Sequence, residues 1–249
     1  MRPYLILLVF ATRVAAQNEP EEVNLGLYLQ GRAVFEQQCA PCHGRRGRGD
    51  GDWAKDVSDK PRNFRTGTFK FRSTPLGFLP TAADLERTVR GGVSGTMMPS
   101  FTQLSDHDLK AVLAYIRSFS NRWKDPAKHH DAVPLPPQPD WYADATERKA
   151  RAAAVTPLFQ ATCAVCHGTG GKGDGPAAKT LIDIWQNPVK PADFTRPHHK
   201  SGPRPEDLYR TLAMGLDGTP MTAYREILPP DTLWALVAHI QSLASTDKE

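Results

Sequence analysis

The sequence predicts an all-α protein built as two tandem domains that share one architecture. Three observations support this: a long internal repeat, apolar residues at helical spacing in both halves, and no convincing alternating strand pattern. A chain of 249 residues is long enough for two domains that each bury a core. Its hydrophobic content of 40% and charged content of 23% are typical of a soluble globular protein.

The repeat is defined by a thirteen-residue pattern, C-x-x-C-H-G-x-x-G-x-G-D-G, which occupies residues 39–51 and again 163–175. A Gly-Thr-x-Met segment follows in each half and ends at Met98 and at Met221. The cysteines are offset by 124 residues and the methionines by 123. Such agreement over a long stretch indicates a duplicated domain.

We place the two domains at residues 23–121 and 146–244. Between them, residues 122–145 contain Pro126 and four further prolines, and no apolar period runs through them. This composition predicts an extended, semi-rigid linker.

Apolar residues at helical spacing predict three main helices in each domain. They are placed at 27–38, after Thr81 and after Ser105 in the first domain, and at 145–162, after Pro205 and after Pro229 in the second. The segment from Ser105 to Asp108 is typical of a helix N-terminal cap. Glycines and prolines between these helices predict irregular chain.

The N-terminus predicts an export signal at residues 1–16. Arg2 supplies positive charge, residues 4–10 are apolar, and small residues precede the expected cleavage after Ala16. The alternative is an uncleaved membrane anchor, but the apolar run breaks at Arg13, well short of the ~20 residues that a span needs. We therefore expect an exported, periplasmic protein that does not span the membrane.

The C-x-x-C-H units predict covalent haem attachment. Two cysteines three residues apart lie on one side of a helical turn, so both sulfurs can form thioethers with a haem while the adjacent imidazole binds the iron. The residues assigned to the two sites are Cys39, Cys42 and His43, and Cys163, Cys166 and His167. A thioredoxin-like site, a zinc site and ordinary buried cysteines are the alternatives. A thioredoxin-like site needs an alternating strand–helix pattern, which this sequence lacks. A zinc site favours four ligands together, whereas each C-x-x-C-H unit supplies three in its own domain. We expect two c-type haems that use all four cysteines.

Met98 and Met221 are the predicted sixth ligands of the two irons. A methionine is ordinarily core filler, but these two occupy equivalent places in the repeat. Met97 is a rival in the first domain, although its counterpart is Pro220, which cannot bind iron. Thioether ligation favours ferrous iron and raises the reduction potential. The pairs His129-His130 and His198-His199 do not recur between the halves, and we interpret them as surface histidines.

The C-x-x-C-H unit with a distant Gly-Thr-x-Met resembles the class I cytochromes c, and two such units resemble the dihaem periplasmic cytochromes c. The resemblance covers most of residues 23–121 and 146–244. It implies two tandem class I cytochrome c domains, each with N- and C-terminal helices that cross beside the haem. It also implies that a proline carbonyl accepts a hydrogen bond from each haem-binding histidine, and Pro61 and Pro191 are the candidates.

The predicted function is electron transfer between redox partners outside the cytoplasm, without a substrate. The partners are redox proteins, such as a membrane respiratory complex or a dehydrogenase, and not nucleic acid. One alternative is a dihaem peroxidase-like enzyme with an open haem site, and another is a permanent subunit of a larger complex. The first domain carries a net charge of +5 and the second +2, so we expect the first to face an acidic partner.

Overall fold

The computed structural model describes residues 25–244, which form nine α-helices and six short 3₁₀ helices. Within these residues no strand is formed, and a single antiparallel bridge joins Ile182 to Pro188. The predicted all-α class is therefore confirmed. The predicted signal segment lies outside the described residues. Among the described helices, none has the length and apolar content that a membrane span requires.

The first domain contains four helices around its own apolar core. They are α1 (Leu25–Gln38), α2 (Ala40–His43), α3 (Ala82–Gly91) and α4 (Asp106–Ser118). Helix α1 packs along α4 and buries Phe35 completely against it. Burial of such a side chain contributes roughly 1.5–3 kcal/mol. The predicted cap is confirmed, since the Ser105 side chain accepts a hydrogen bond from the Asp108 amide and starts α4.

The second domain repeats this arrangement with five helices. They are α5 (Ala145–Ala154), α6 (Thr156–Thr162), α7 (Ala164–His167), α8 (Pro205–Met214) and α9 (Pro230–Leu243). Phe159, the counterpart of Phe35, is also fully buried. The single helix predicted over 145–162 is wrong, because it breaks at Val155 into α5 and α6. Pro157 has no amide hydrogen, and its ring clashes with a preceding carbonyl in a continuous helix.

The segment that joins the domains lies against both of them. On the first domain, the Val133 amide donates to the Ser73 carbonyl oxygen at 2.8 Å. On the second, the Tyr142 hydroxyl donates to Gln241 at 2.6 Å, and its ring packs edge-on against Trp234. The linker is therefore a strap held on both sides.

The two domains also contact each other directly, along a surface that we call the interdomain seam. Arg72 of the first domain is only 2% exposed and donates to the carbonyl oxygens of Met214 and Gly215 in the second, at 3.0 and 3.2 Å. These carbonyls lie at the C-terminal end of α8, where helices have unpaired acceptors and favour positive charge. Arg72 therefore holds the domains in one relative position.

Candidate functional site

Each C-x-x-C-H unit forms one short helical turn that directly follows a longer helix. In the first domain the Cys39 amide donates to the Phe35 carbonyl oxygen at 2.9 Å, and the His43 amide donates to the Cys39 carbonyl oxygen at 2.8 Å. In the second, the Cys163 amide and the His167 amide make the same bonds at 2.8 and 2.9 Å. Both cysteines and the histidine of each unit thus lie on the same turn, as predicted.

The cysteines have the properties of attachment points and not of redox catalysts. All four are free and partly exposed. Burial raises the pKa of the Cys39 thiol to about 12, with a smaller contribution from Cys42. Burial also raises the pKa of Cys163. Reactive redox cysteines need a lowered pKa, so the structure argues against the thioredoxin-like alternative.

The ring of each histidine is oriented by a backbone carbonyl. His43 Nδ1 lies 3.0 Å from the Arg62 carbonyl oxygen, and His167 Nδ1 lies 3.1 Å from the Ala192 carbonyl oxygen. Such a bond fixes the tautomer and leaves Nε2 as the nitrogen available to a metal.

The expectation that Pro61 and Pro191 supply these carbonyls is therefore wrong by one residue. Both proline carbonyls instead face a glycine of the preceding loop, so that a β-carbon on Gly173 would lie 2.7 Å from the Pro191 oxygen. Successive carbonyls of an extended chain point in opposite directions. The next residue consequently turns its own oxygen toward the histidine.

An aromatic ring supports each histidine from the side. His43 stacks on Phe64 at 4.5 Å between ring centroids, and His167 stacks on Phe194 at 4.4 Å. Burial lowers the pKa of His43 and of His167, although the hydrogen bonds to the carbonyls act in the opposite direction. The neutral imidazole, which is the form that binds iron, is therefore favoured in both domains.

The two Gly-Thr-x-Met loops have the same hydrogen bonds. The Met98 carbonyl oxygen accepts from the Val93 amide at 3.0 Å, and its amide donates to the Thr96 hydroxyl at 3.1 Å. Met221 repeats both bonds, with Leu216 and Thr219, at 3.0 and 3.2 Å. The threonine hydroxyl thus closes the loop that presents the methionine.

Met98 and Met97 have different surroundings. Met98 packs against the core of the first domain, whereas Met97 is 69% exposed. Met221 likewise packs against the core of the second domain. The structure therefore favours Met98 over Met97 as the iron ligand, as the repeat also does.

These features fit haem c in both domains. Each site has two free thiols on one turn, a neutral histidine whose Nδ1 is already bonded, and a methionine directed toward the core by its own loop. The donor set is the one that covalent haem with histidine and methionine ligation requires. No group of three or more metal-binding His, Cys, Asp or Glu side chains occurs within residues 25–244, which disfavours the zinc alternative.

Sequence reasoning missed several residues at the interdomain seam. The Arg62 guanidinium lies over the Trp185 ring, 4.2 Å from its centroid. Trp185 belongs to a segment that is longer in the second domain, where His167 and Pro191 are 24 positions apart, against 18 for His43 and Pro61. This difference in length indicates an insertion between His167 and Pro191 of the second domain.

One of the histidines interpreted as surface residues is buried. His199 is 8% exposed, and its ring lies 6.2 Å from that of Phe194, the residue that stacks on His167. Burial lowers the pKa of His199, and the neighbouring His198 lowers it further. The other three histidines of the two pairs, His129, His130 and His198, are at least partly exposed, as expected.

Two family models match the chain, one in each domain. The cytochrome C oxidase, cbb3-type, subunit III model matches residues 26–116, and the cytochrome c model matches residues 152–244. Together with the fold and the two sites, these matches define haem proteins of the cytochrome c type. The chain belongs to the dihaem class I cytochromes c, and its cofactors are two covalently bound c-type haems.

Two curated relatives align with most of the chain. The Cbb3-type cytochrome c oxidase subunit FixP of Azorhizobium caulinodans is 25% identical over 245 residues, which cover 91% of this chain and 63% of the relative. The subunit of the same name from Bradyrhizobium diazoefficiens is 26% identical over 219 residues, covering 86% and 60%. The chain thus spans about three fifths of the length of these relatives.

A solved structure is similar over nearly its full length. A chain of the Kuenenia stuttgartiensis reducing HAO-like protein complex Kustc0457/Kustc0458 superimposes with a TM-score of 0.80 at 34% identity. The match covers 86% of the present chain and 95% of that one. The same two-domain architecture therefore occurs in a protein that belongs to a complex.

Proposed function

We propose that this cytochrome relays single electrons between redox partner proteins outside the cytoplasm and turns over no substrate. Haem c, when bound, supplies a one-electron iron couple. In this proposal Cys39 and Cys42, and Cys163 and Cys166, hold the two haems covalently. His43 and Met98 would bind the first haem iron, and His167 and Met221 would bind the second.

The observation that carries the proposal is the equivalence of the two sites. Each histidine is fixed by a backbone carbonyl, and each methionine is presented by a threonine-closed loop. If a histidine and a methionine both bind each iron, no position would be left for a substrate, so the site suits electron transfer. A dihaem peroxidase-like enzyme would need one iron without a methionine ligand. The two methionine loops instead have the same hydrogen bonds.

The residues around each histidine assist an electron carrier in a specific way. The stacked Phe64 and Phe194 hold the imidazole planes, and the bonds to Arg62 and Ala192 fix their tautomers. Fixed ligands need little movement when the charge of the iron changes.

The test is the optical spectrum of the haem-loaded protein, oxidised and reduced, with and without carbon monoxide. We expect two low-spin haems that carry the methionine-to-ferric-iron charge-transfer band and do not bind carbon monoxide. A high-spin haem, or one that binds carbon monoxide, would show an open position and favour the peroxidase-like enzyme.

The second candidate is a permanent electron-transfer subunit of a larger respiratory or dehydrogenase complex. The names of the relatives support it, since two are oxidase subunits and one belongs to a protein complex. Native gel filtration of the protein from its source, followed by haem staining, separates the two candidates. Haem in a large assembly supports the subunit, and haem eluting near the size of this chain supports a free carrier.

A further inference from the structure

The two methionine loops share their internal hydrogen bonds but differ in what lies against them. Gly95 and Gly218 occupy the same position in the two Gly-Thr-x-Met segments, and both have a positive φ, of 74° and 79°. Within residues 25–244, a β-carbon on Gly95 would have no heavy atom within 4 Å. A β-carbon on Gly218 would lie 2.8 Å from the Trp185 ring and 3.2 Å from Thr68 of the first domain. The second loop is therefore covered at this position, and the first is open.

A backbone hydrogen bond joins the second loop to the insertion that carries Trp185. The Ile184 amide donates to the Gly218 carbonyl oxygen at 3.0 Å. The equivalent carbonyl oxygen of Gly95 accepts no backbone hydrogen bond from the part of the chain that the structure describes. The insertion thus adds a hydrogen bond and an aromatic contact to the second methionine loop alone.

The insertion presents Trp185 on a closed turn. Asp183 is only 9% exposed, and its carboxylate accepts from the amides of Trp185 and Asn187, at 2.9 and 2.8 Å. The ends of the turn are joined by the Val189 amide, which donates to the Leu181 carbonyl oxygen at 2.9 Å. A carboxylate that binds the backbone amides following it is typical of an Asx turn. The indole ring is therefore placed by the turn, and not only by its own contact with the loop.

The first domain also contributes to holding this loop. The Arg62 guanidinium lies 4.2 Å from the centroid of the Trp185 ring, a distance at which a cation attracts an aromatic face. Arg72 donates to the Gly215 carbonyl oxygen at 3.2 Å, at the residue where the loop leaves α8. The loop that ends at Met221 is thus held at its start by Arg72 and in its middle by Trp185. Because both arginines belong to the first domain, this arrangement depends on the interdomain seam.

We propose that Trp185 is a positioning residue for the second haem, which clamps the loop of Met221 and keeps the methionine at its site. The inference rests on the proposed ligation by Met98 and Met221. Opening of the second loop breaks the contacts of Gly218 with the insertion as well as the bonds within the loop, so it occurs less often than opening of the first. The two sites have the same donor set, and the clamp makes them differ in how readily the methionine is exchanged.

The test measures how fast cyanide binds to each ferric haem of the loaded protein. Cyanide binds the iron only after the methionine has left, so its rate at saturation reports the opening of each methionine loop. We expect a fast phase from the first haem and a slow phase from the second. Met98→Ala assigns the phases, because it removes the methionine of the first haem and accelerates that phase alone.

Trp185→Ala should accelerate the slow phase about tenfold, the factor that corresponds to ~1.4 kcal/mol, and leave the fast phase unchanged. Trp185→Leu is made alongside it, so that a failure of one variant to fold leaves the other. Arg62→Met tests the contribution of the first domain without changing the insertion. The slow phase should accelerate by a smaller factor in this variant, since Trp185 keeps its contact with Gly218.

The matched control is Ile184→Ala. Ile184 is 60% exposed and adjacent to Trp185, and the variant retains the backbone bond to Gly218. Both cyanide phases should therefore remain as in the wild type.

Hydrogen exchange supplies a second readout, which does not depend on the iron ligands. In the oxidised protein the amides of residues 216–221 should exchange more slowly than those of residues 93–98, and Trp185→Ala should remove most of this difference. If the methionine-to-ferric-iron charge-transfer band is missing in the wild type, the proposed ligation fails, while the exchange rates still decide whether the clamp exists.

The proposal is overturned if the second haem of the wild type binds cyanide as fast as the first. It is also overturned if the Trp185 variants leave the slow phase and the exchange of residues 216–221 unchanged. Equal acceleration by Ile184→Ala and Trp185→Ala would have the same consequence, because the turn as a whole and not the indole would then hold the loop. An unchanged slow phase in Arg62→Met would contradict the contribution of the first domain.

Discussion

Gly31 of α1 and Ala111 of α4 approach so closely that a β-carbon on Gly31 would overlap the Ala111 carbonyl oxygen. The same β-carbon would lie 3.0 Å from the Cβ atom of Tyr115. The two helices therefore cross backbone against backbone, and only glycine fits at the crossing. This contact sets the position of the first C-x-x-C-H turn, which directly follows α1.

We expect Gly31→Ala to lower the free energy of unfolding by about 1–3 kcal/mol, the usual cost of overpacking. The measurement is a guanidinium titration of the haem-loaded protein followed by circular dichroism. Gly91→Ala is the control, because an added β-carbon there has nothing within 4 Å. This control should be neutral or slightly stabilising. Equal midpoints for Gly31→Ala and the wild type would contradict the tight crossing.

Met98→Ala should remove the charge-transfer band of the first haem and lower its reduction potential. Thioether ligation favours ferrous iron, and axial ligands span a range of about 0.8 V. Met97→Ala is the matched control, since Met97 is exposed and should leave the spectrum and potential unchanged. The reverse result would assign the ligand to Met97. Spectroelectrochemistry records both properties in one experiment.

Arg72→Met should loosen the two domains from each other. The substitution removes two charged hydrogen bonds to the end of α8, which contribute about 1.5–3 kcal/mol each. Small-angle scattering should show a larger radius of gyration, and unfolding should lose its single cooperative transition. Arg90→Met serves as control, because Arg90 donates to Leu104 and Asp106 within the first domain only. An unchanged radius in Arg72→Met would show that the strap alone holds the domains.

Asp84 should make the first domain sensitive to acid. Burial raises its pKa, but hydrogen bonds from Ser73, Arg87 and Thr81 outweigh it, and the net pKa is lowered. Because the unfolded state then binds the proton more readily, the stabilisation is complete above the unfolded pKa of about 3.9. It is lost as the pH falls through the folded-state pKa.

The corresponding variant is Asp84→Asn, which should cost about 3 kcal/mol at neutral pH, the lower end for a broken buried ion pair. Denaturant titrations from pH 7 to pH 2 compare it with the wild type. The difference between the two proteins should shrink as the pH falls below 4. A difference that stays constant over this range would exclude the carboxylate as the acid-sensitive group.

The rate of association with an acidic partner should depend on salt concentration, mainly because of the positive charge of the first domain. Its net charge is +5 against +2 for the second, and screening shortens the reach of surface charge. Stopped-flow rates with the natural partner should fall as ionic strength rises. Arg45→Gln should weaken this dependence more than Lys179→Gln in the second domain. Rates that do not respond to salt would remove the electrostatic argument.

The sequence was sufficient for features that depend on local pattern. Helical spacing predicts α4 and its Ser105 cap, and the C-x-x-C-H turn forms as its spacing requires. The cofactor type follows from the same motif. The repeat indicated that Met98 and Met221 occupy equivalent positions, and their loops have the same hydrogen bonds. Their role as iron ligands stays a prediction.

The features that the sequence could not predict depend on contacts between distant residues. Arg72 and Gly215 are 143 residues apart, and no local pattern indicates that they meet. The assignment of the histidine bond to Pro61 failed because the direction of a carbonyl in irregular chain depends on the loop that packs beside it. The break at Val155 was missed because apolar spacing continues through it while Pro157 interrupts the backbone bonds.

The strap determines where this chain can be divided. A fragment that ended at residue 121 would lose the covering over Ser73, and one that began at residue 146 would leave Trp234 without Tyr142. Trp141 also donates to Asp231 in α9, so the start of the last helix would lose this contact as well. The strap thus covers part of the surface of both domains. Expression of either domain without residues 122–145 should therefore give a protein with part of its surface uncovered.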